Sequence, residues 1–376
     1  MLKLFAVCSP GLESILTQEL QTLGLLDHTL VSIPNKPGGV SFEGNLKSVY
    51  LSNLWLRSAN RILVRQGDFN AKAFSELRKK ASRLEWEQFL TQGQPIDIKV
   101  TCHKSRLYHQ GAVAERVAAA ISDRLGKPTP IRKSDQMRVT QLVFVRIVRD
   151  HCTISIDSSG QLLHRRGYRL ATAKAPLRET LAAGILYASA WDPKSTLIDP
   201  FCGSGTIPIE AALLARNIPP GNGRDFSFMN WKNHDLGLWK KLLEDSKHQQ
   251  SEQPIIILAS DRDAGAISIA KANAERAGVA EDIEFSHQAI SAIEPKGSGV
   301  VVTNPPYGHR VSSNKDLRNL YAQFGIIMRA KCPGWRIALL CNDQKLINQT
   351  GLNLESDTTL DNGGIKVKLA QGIVSE

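Results

Sequence analysis

Residues 195–212 read STLIDPFCGSGTIPIEAA, and this stretch decides the architecture of the second half of the chain. Thr196, Leu197 and Ile198 form a short apolar, β-branched run of the kind that fills a buried strand. Asp199 and Pro200 end it. Gly203 and Gly205 then allow a tight turn that brings backbone close to a ligand, and an apolar helical pattern begins at Thr206. A strand, a glycine turn and a helix make the first unit of a doubly wound α/β sheet. The turn is not a dinucleotide fingerprint, because Pro208 stands where the third glycine of G-x-G-x-x-G belongs. No lysine follows as in a phosphate-cradling P-loop. An acid ahead of the glycines disfavours phosphate and suits a cationic or amine-bearing ligand.

Downstream, strand and helix patterns alternate: 254–261, 264–278, 282–286, 298–304, 316–331 and 335–341. The 254–261 strand ends in Ser260-Asp261-Arg262-Asp263, and an acid at that place can hold ribose hydroxyls. S-adenosyl-L-methionine meets both demands, with its ammonium and sulfonium charges and its ribose. The 298–304 strand runs into Asn304-Pro305-Pro306-Tyr307. Two prolines stop strand and helix alike and leave a rigid turn at a strand's carboxyl end. Its amide, bare carbonyls and ring suit a planar group that carries an NH2. Residues 218–253 interrupt the alternation as a long excursion.

Upstream of 166 the pattern is different. Strands read at 2–8, 60–67, 95–102, 138–149 and 152–156, with helices at 10–23, 45–57 and 111–125, which is an α+β organisation. Residues 162–179, LLHRRGYRLATAKAPLRE, read as the connection between the halves. The charge is divided in the same way. Residues 1–166 hold 24 Lys and Arg against 14 Asp and Glu, whereas 167–376 hold 23 against 22. A basic half beside a ligand-binding half points to a polyanion gripped by one and processed by the other.

Composition removes several classes. No run of eighteen apolar residues marks a membrane span, and the N-terminus lacks the pattern of a secretory signal. The six cysteines, at 8, 102, 152, 202, 332 and 341, form no C-x-x-C pair, so neither a metal site nor a disulfide framework is expected and the expected compartment is the cytoplasm.

DPFCGSGTIPIEAA together with TNPPYG, preceded by LLHRRGYR and APLRETLAAGIL, resembles the THUMP-domain class I RNA methyltransferases that form N2-methylguanosine in rRNA and tRNA. The segment Lys104-Ser-Arg-Leu-Tyr-His-Gln-Gly111 resembles the THUMP pattern ahead of its long helix. The resemblance covers essentially the whole chain. It implies a ferredoxin-like domain over 1–58, a THUMP domain over 59–165 and a Rossmann-like catalytic domain over 166–376. It implies S-adenosyl-L-methionine as cofactor, held by Asp199, Cys202, Gly203, Ser204, Gly205, Thr206, Asp261, Arg262, Gln288 and Asn304. Catalysis would fall to Asn304, Pro305, Pro306 and Tyr307, the tyrosine stacking on an extruded base. Gln288 stands where an Asp is common, and His309 follows Gly308 where a Glu is common. The implied partner is RNA, rRNA ahead of tRNA, with no metal and no membrane; sequence does not settle the oligomeric state, and a monomer is favoured. Lys79, Lys80, Lys104, Arg106, Arg132, Lys133, Arg165 and Arg166 are the candidate RNA contacts. The competing readings are an adenine-N6 methyltransferase, since NPPY serves either amine, and a non-catalytic RNA-binding assembly factor.

Overall fold

The computed structural model describes residues 1–27, 38–132, 140–170, 177–307 and 314–375. The expectations placed on Lys133, on 138–139, on 171–176 and on Gly308–Arg310 lie outside the described residues.

The amino-terminal half is built on one six-stranded sheet. Its strands are β1 (Leu2–Cys8), β2 (Gly39–Gly44), β3 (Ala59–Asn70), β4 (Ile96–His103), β5 (Gln141–Val148) and β6 (His151–Asp157), in the order β2-β1-β3-β6-β5-β4. The long β3 pairs with β1 on one side and β6 on the other, so a single strand joins the two α+β modules. Alternation explains the sheet's two faces. Leu4, Ala6, Ile62, Val64, Val143, Val145, Ile154 and Ile156 point to one side and are buried. That side carries helices α1 (Glu13–Thr22), α2 (Leu46–Trp55), α3 (Phe74–Ala81) and α4 (Gln110–Leu125). Asn45 and Ser48 close a reciprocal capping box at the start of α2.

The carboxyl-terminal half contains α5 (Glu179–Ala188), β7 (Thr196–Asp199), α6 (Thr206–Ala215), α7 (Leu236–His248), β8 (Ile257–Asp261), α8 (Ala264–Ala277), β9 (Ile283–His287), β10 (Gly299–Thr303), α9 (Asn314–Lys331), β11 (Arg336–Cys341), α10 (Gln344–Gln349), β12 (Glu355–Asn362) and β13 (Ile365–Ile373). The sheet order is β12-β13-β11-β10-β7-β8-β9. Strands β11, β10, β7, β8 and β9 run parallel, while β13 and β12 close one edge as an antiparallel hairpin. The α/β doubly wound expectation therefore holds. The winding reverses between β7 and β10, and ligands bind at such a switch point beyond the strands' carboxyl ends. The glycine turn after β7 and the Asn-Pro-Pro-Tyr turn after β10 both leave the sheet there.

Three features depart from the sequence reading. Helix α5 starts at the end of the presumed connection. The excursion at 218–253 contains α7 and folds back on the amino-terminal half. In it Trp231 donates to Gln141 Oε1 at 2.9 Å, and the Tyr50 ring stacks 4.5 Å from Phe228. Third, the β12–β13 hairpin, which alternation did not reveal, turns through Gly363 and Gly364 at φ 66° and 92°, as a two-residue hairpin with both residues left-handed requires.

Candidate active site

The glycine turn is held from three sides. The Cys202 amide donates to Ser260 O at 3.0 Å, and the Gly203 amide donates to Asp261 Oδ2 at 3.0 Å. Asn273 Nδ2 on α8 donates to Ser204 O at 2.9 Å. The two glycines serve different ends. Gly203 has φ +52°, and a Cβ there would meet nothing within 4 Å, so its face is open toward a ligand. Gly205 has φ +84°, and a Cβ would come 3.0 Å from Ala270 Cβ, so it lets α6 lie close against α8. Thr206 then opens α6 as a buried residue.

Asp199 and Thr303 end adjacent strands, and their register brings them together. Thr303 Oγ1 donates to Asp199 Oδ1 at 2.7 Å, and the Phe201 amide donates to the same oxygen at 3.2 Å. Burial pushes the Asp199 carboxyl up to about 7, the two donors pull it down, and nearby Asp261 raises it. Asp199 therefore gains from a positively charged ligand, which would favour its ionised form. Burial also pushes the Cys202 thiol up, and Asp199 and Asp261 add to this. Cys202 stays a neutral thiol rather than a nucleophile. Asp261 accepts from the Asp263 amide through Oδ1 at 3.0 Å. The helix-capping duty for α8 falls on Asp263, which accepts from Gly265 and Ala266. Asp261 is thereby left facing the turn.

Beside these groups lies a cavity of about 330 Å3 whose walls include Phe201, Arg262, Gln288, Ile290, Pro306 and Leu317. It is mostly apolar with an amide on its wall, a shape and chemistry suited to a purine. The Gln288 backbone N–H donates to Asp261 O at 3.1 Å, which sets the residue at that wall. Sequence reasoning reached Arg262, Gln288 and Pro306 but missed Phe201, Ile290 and the α9 residues. The signal for α9 was present: Leu317, Leu320 and Ile327 fall on one helical stripe.

At the end of β10, Asn304 Oδ1 is buried and has no hydrogen-bond partner among the described residues. A buried acceptor left unpaired costs about 1–3 kcal/mol, a cost that a donor from outside the chain would relieve. Pro306 O lies 3.5 Å from the hydroxyl of Tyr321 on α9, which ties the turn to that helix. Tyr307 corrects an expectation. Its ring is 2% exposed, and its hydroxyl accepts from Asn362 Nδ2 on β12 at 3.3 Å. The hairpin packs over it, so the ring serves the core rather than presenting a face to a base.

The expected RNA contacts divide. Lys79, Lys104, Arg106, Arg132 and Arg165 are exposed. Lys80 is half-buried and pairs with Glu76 at 2.6 Å. Arg166 is a correction. It is buried, pairs with buried Glu210 at 3.4 Å, and donates to Leu163 O at 2.7 Å and Arg57 O at 2.6 Å. Tyr168 donates to the same Glu210 at 3.1 Å. Arg57 in turn reaches Leu213 O and Ile218 O, at 3.1 and 2.6 Å. These arginines tie the two halves together. Among the described residues no helix is long and apolar enough to cross a membrane, and no three His, Cys, Asp or Glu side chains gather as a metal site.

The fold and site have counterparts among known proteins. Residues 166–371 match the family described as RMKL-like, methyltransferase domain. Residues 3–63 match the RlmL ferredoxin-like domain and 71–157 the THUMP domain. The ribosomal RNA large subunit methyltransferase K/L of Methylococcus capsulatus is 36% identical over 97% of this chain and 50% of its own length. The chain thus spans about half the length of the K/L relatives it matches. The crystal structure of SMU.472 complexed with SAH is 30% identical, with a TM-score of 0.89 over 100% of this chain and 98% of that one. A Listeria monocytogenes structure, described as "a predicted N6-adenine-specific DNA methylase", is 33% identical with a TM-score of 0.87, over 98% of this chain and 95% of that one.

Proposed function

The chain belongs to the RMKL-like methyltransferases, S-adenosyl-L-methionine-dependent enzymes, and from that premise we propose that it methylates the exocyclic N2 of a guanine in structured RNA, rRNA of the large subunit foremost. The observation that carries the reading is the buried Asn304 Oδ1 at the switch point, which has no partner among the described residues. It is an acceptor aimed where a base amine would come.

S-adenosyl-L-methionine, when bound, supplies an electrophilic methyl group on a positively charged sulfur. The residues that would hold it are Asp199 and the Gly203 turn for its methionine end, Asp261 for the ribose, and the cavity with Gln288 for the adenine. A guanine 2-amino group is a poor nucleophile, because its lone pair is delocalised into the ring. Asn304 Oδ1 and the Pro305 carbonyl accept its two N–H bonds. That turns the lone pair toward the methyl donor and stabilises the positive charge that develops on nitrogen. The Thr303–Asp199 bond keeps both turns in register while this happens. The target must leave its stack to reach such a pocket. Exposed Lys79, Lys104, Arg106, Arg132 and Arg165 on the basic half would grip the RNA backbone.

The adenine-N6 reading is the second one, because an Asn-Pro-Pro-Tyr turn accepts either amine and the Listeria relative carries that description. Inosine separates the two. It is guanosine without the 2-amino group. RNA transcribed with inosine in place of guanosine is expected to accept no methyl from labelled cofactor, while the guanosine transcript does. Equal labelling of both transcripts would rule out N2.

A further inference from the structure

The open face of the amino-terminal sheet carries a built groove that the catalytic reading does not use. Strand register sets one row across five strands. Lys3 lies opposite Arg65, Arg65 opposite Ser155, Ser155 opposite Phe144, and Phe144 opposite Lys99. With strands about 4.8 Å apart, the row is about 19 Å long. Beside it Thr153 lies opposite Arg146. A cavity of about 390 Å3 opens here, lined by Phe5, Arg65, Lys99, Phe144, Arg146 and His151 among others, and among the described residues by no carboxylate. The helices α1 to α4 pack on the sheet's other side, while the Leu63–Asp157 end of this face is buried, with Arg61 donating to Gly160 O at 2.8 Å.

The cations are presented rather than consumed. The Arg65 guanidinium lies 4.5 Å over the Phe5 ring, which fixes it as a flat platform. Burial and the neighbouring charge of Arg146 both hold Arg65 below its ordinary pKa, while Asp68 opposes them. Two guanidinium groups close enough to repel each other are relieved by an anion. Asp68 and Asp157 on this face are taken up by His151 and Arg61. Glu43 and Asp97 sit at the rim, opposite Lys3 and Leu142.

We propose that this sheet face binds a single-stranded segment of the substrate RNA, with bases stacking on the Arg65–Phe5 pair and packing beside the Phe144 ring, over which Arg61 lies at 5.5 Å, while Lys99 and Arg146 meet phosphates. A duplex does not fit the chemistry, because its bases have no free faces to stack. The inference rests on the proposed RNA substrate and adds where and in what form it is held.

The test uses the full chain and its Lys99→Gln/Arg146→Gln variant, both exposed positions. Binding of a labelled short oligouridylate and of a perfect hairpin duplex is followed by anisotropy across a salt series. The variant is expected to lose oligouridylate affinity. Its log K against log salt slope should flatten by about 1.4, two phosphate contacts at about 0.7 each. Duplex binding and cofactor binding should stay as in the parent. Zero-length photocrosslinks from thiouridine RNA should map to peptides that hold Phe5, Arg65 or Phe144. Unchanged oligouridylate binding, equal loss for both RNAs, or crosslinks confined to α3 and the 103–109 loop would overturn the assignment. A parent chain that binds neither RNA would instead sink the RNA reading itself.

Discussion

Asn304→Ala is expected to lower turnover by about 10²–10³-fold, the usual cost of deleting one charge-stabilising group from a preorganised site, while cofactor affinity stays within a few-fold. The split follows from the geometry. The groups assigned to the cofactor, Asp261, the Gly203 turn and Gln288, are held by backbone bonds that do not pass through Asn304. The substitution removes an acceptor that has no partner among the described residues. It should therefore cost little stability, and deleting an unsatisfied buried oxygen is close to neutral. Single-turnover kinetics with calorimetry of cofactor binding and a urea titration separate the three quantities. Near-normal turnover would remove Asn304 from the chemistry. Lost cofactor binding with intact folding would make it a cofactor ligand.

The largest expected stability effect belongs to Arg166→Ala. Glu210 would be left as an uncompensated charge in the core, with Tyr168 as its remaining neighbour, and the carbonyls of Leu163 and Arg57 would lose a donor. Breaking one side of a buried ion pair costs about 3–5 kcal/mol. The urea midpoint should fall accordingly, and both halves should report it, because Arg166 also donates across them to Arg57 O. The same experiment decides between two roles for this arginine. Unchanged stability with weakened RNA binding would return Arg166 to the RNA surface.

The catalytic half was legible because its signals are local. Gly203 and Gly205 announce positive φ, Pro305 and Pro306 forbid continuation, and Val300–Val302 declare a buried strand. Asp199, Asp261 and Asn304 could be placed from those turns alone, since each stands at the end of a strand whose direction is fixed. What escaped depends on contacts far apart in sequence. Arg165 and Arg166 are neighbours of identical type, yet one faces water and the other meets Glu210, 44 positions on. Tyr307 could not be assigned a neighbour without the hairpin that carries Asn362. The excursion at 218–253 reads only as an interruption of the alternation because its apolar residues, Phe226, Phe228, Trp231 and Trp239, are spaced for a cluster with Tyr50 and Phe89 rather than for a helix or strand period. The sheet that joins the two amino-terminal modules was likewise invisible, because β3 reads as one strand whichever module claims it.

Of all measurements, mass spectrometry of nucleosides from separated rRNA and tRNA, in cells with and without this gene, bears most directly on the central claim. The account predicts loss of N2-methylguanosine from the rRNA pool, with N6-methyladenosine unchanged. Loss of N6-methyladenosine with N2-methylguanosine intact would contradict it.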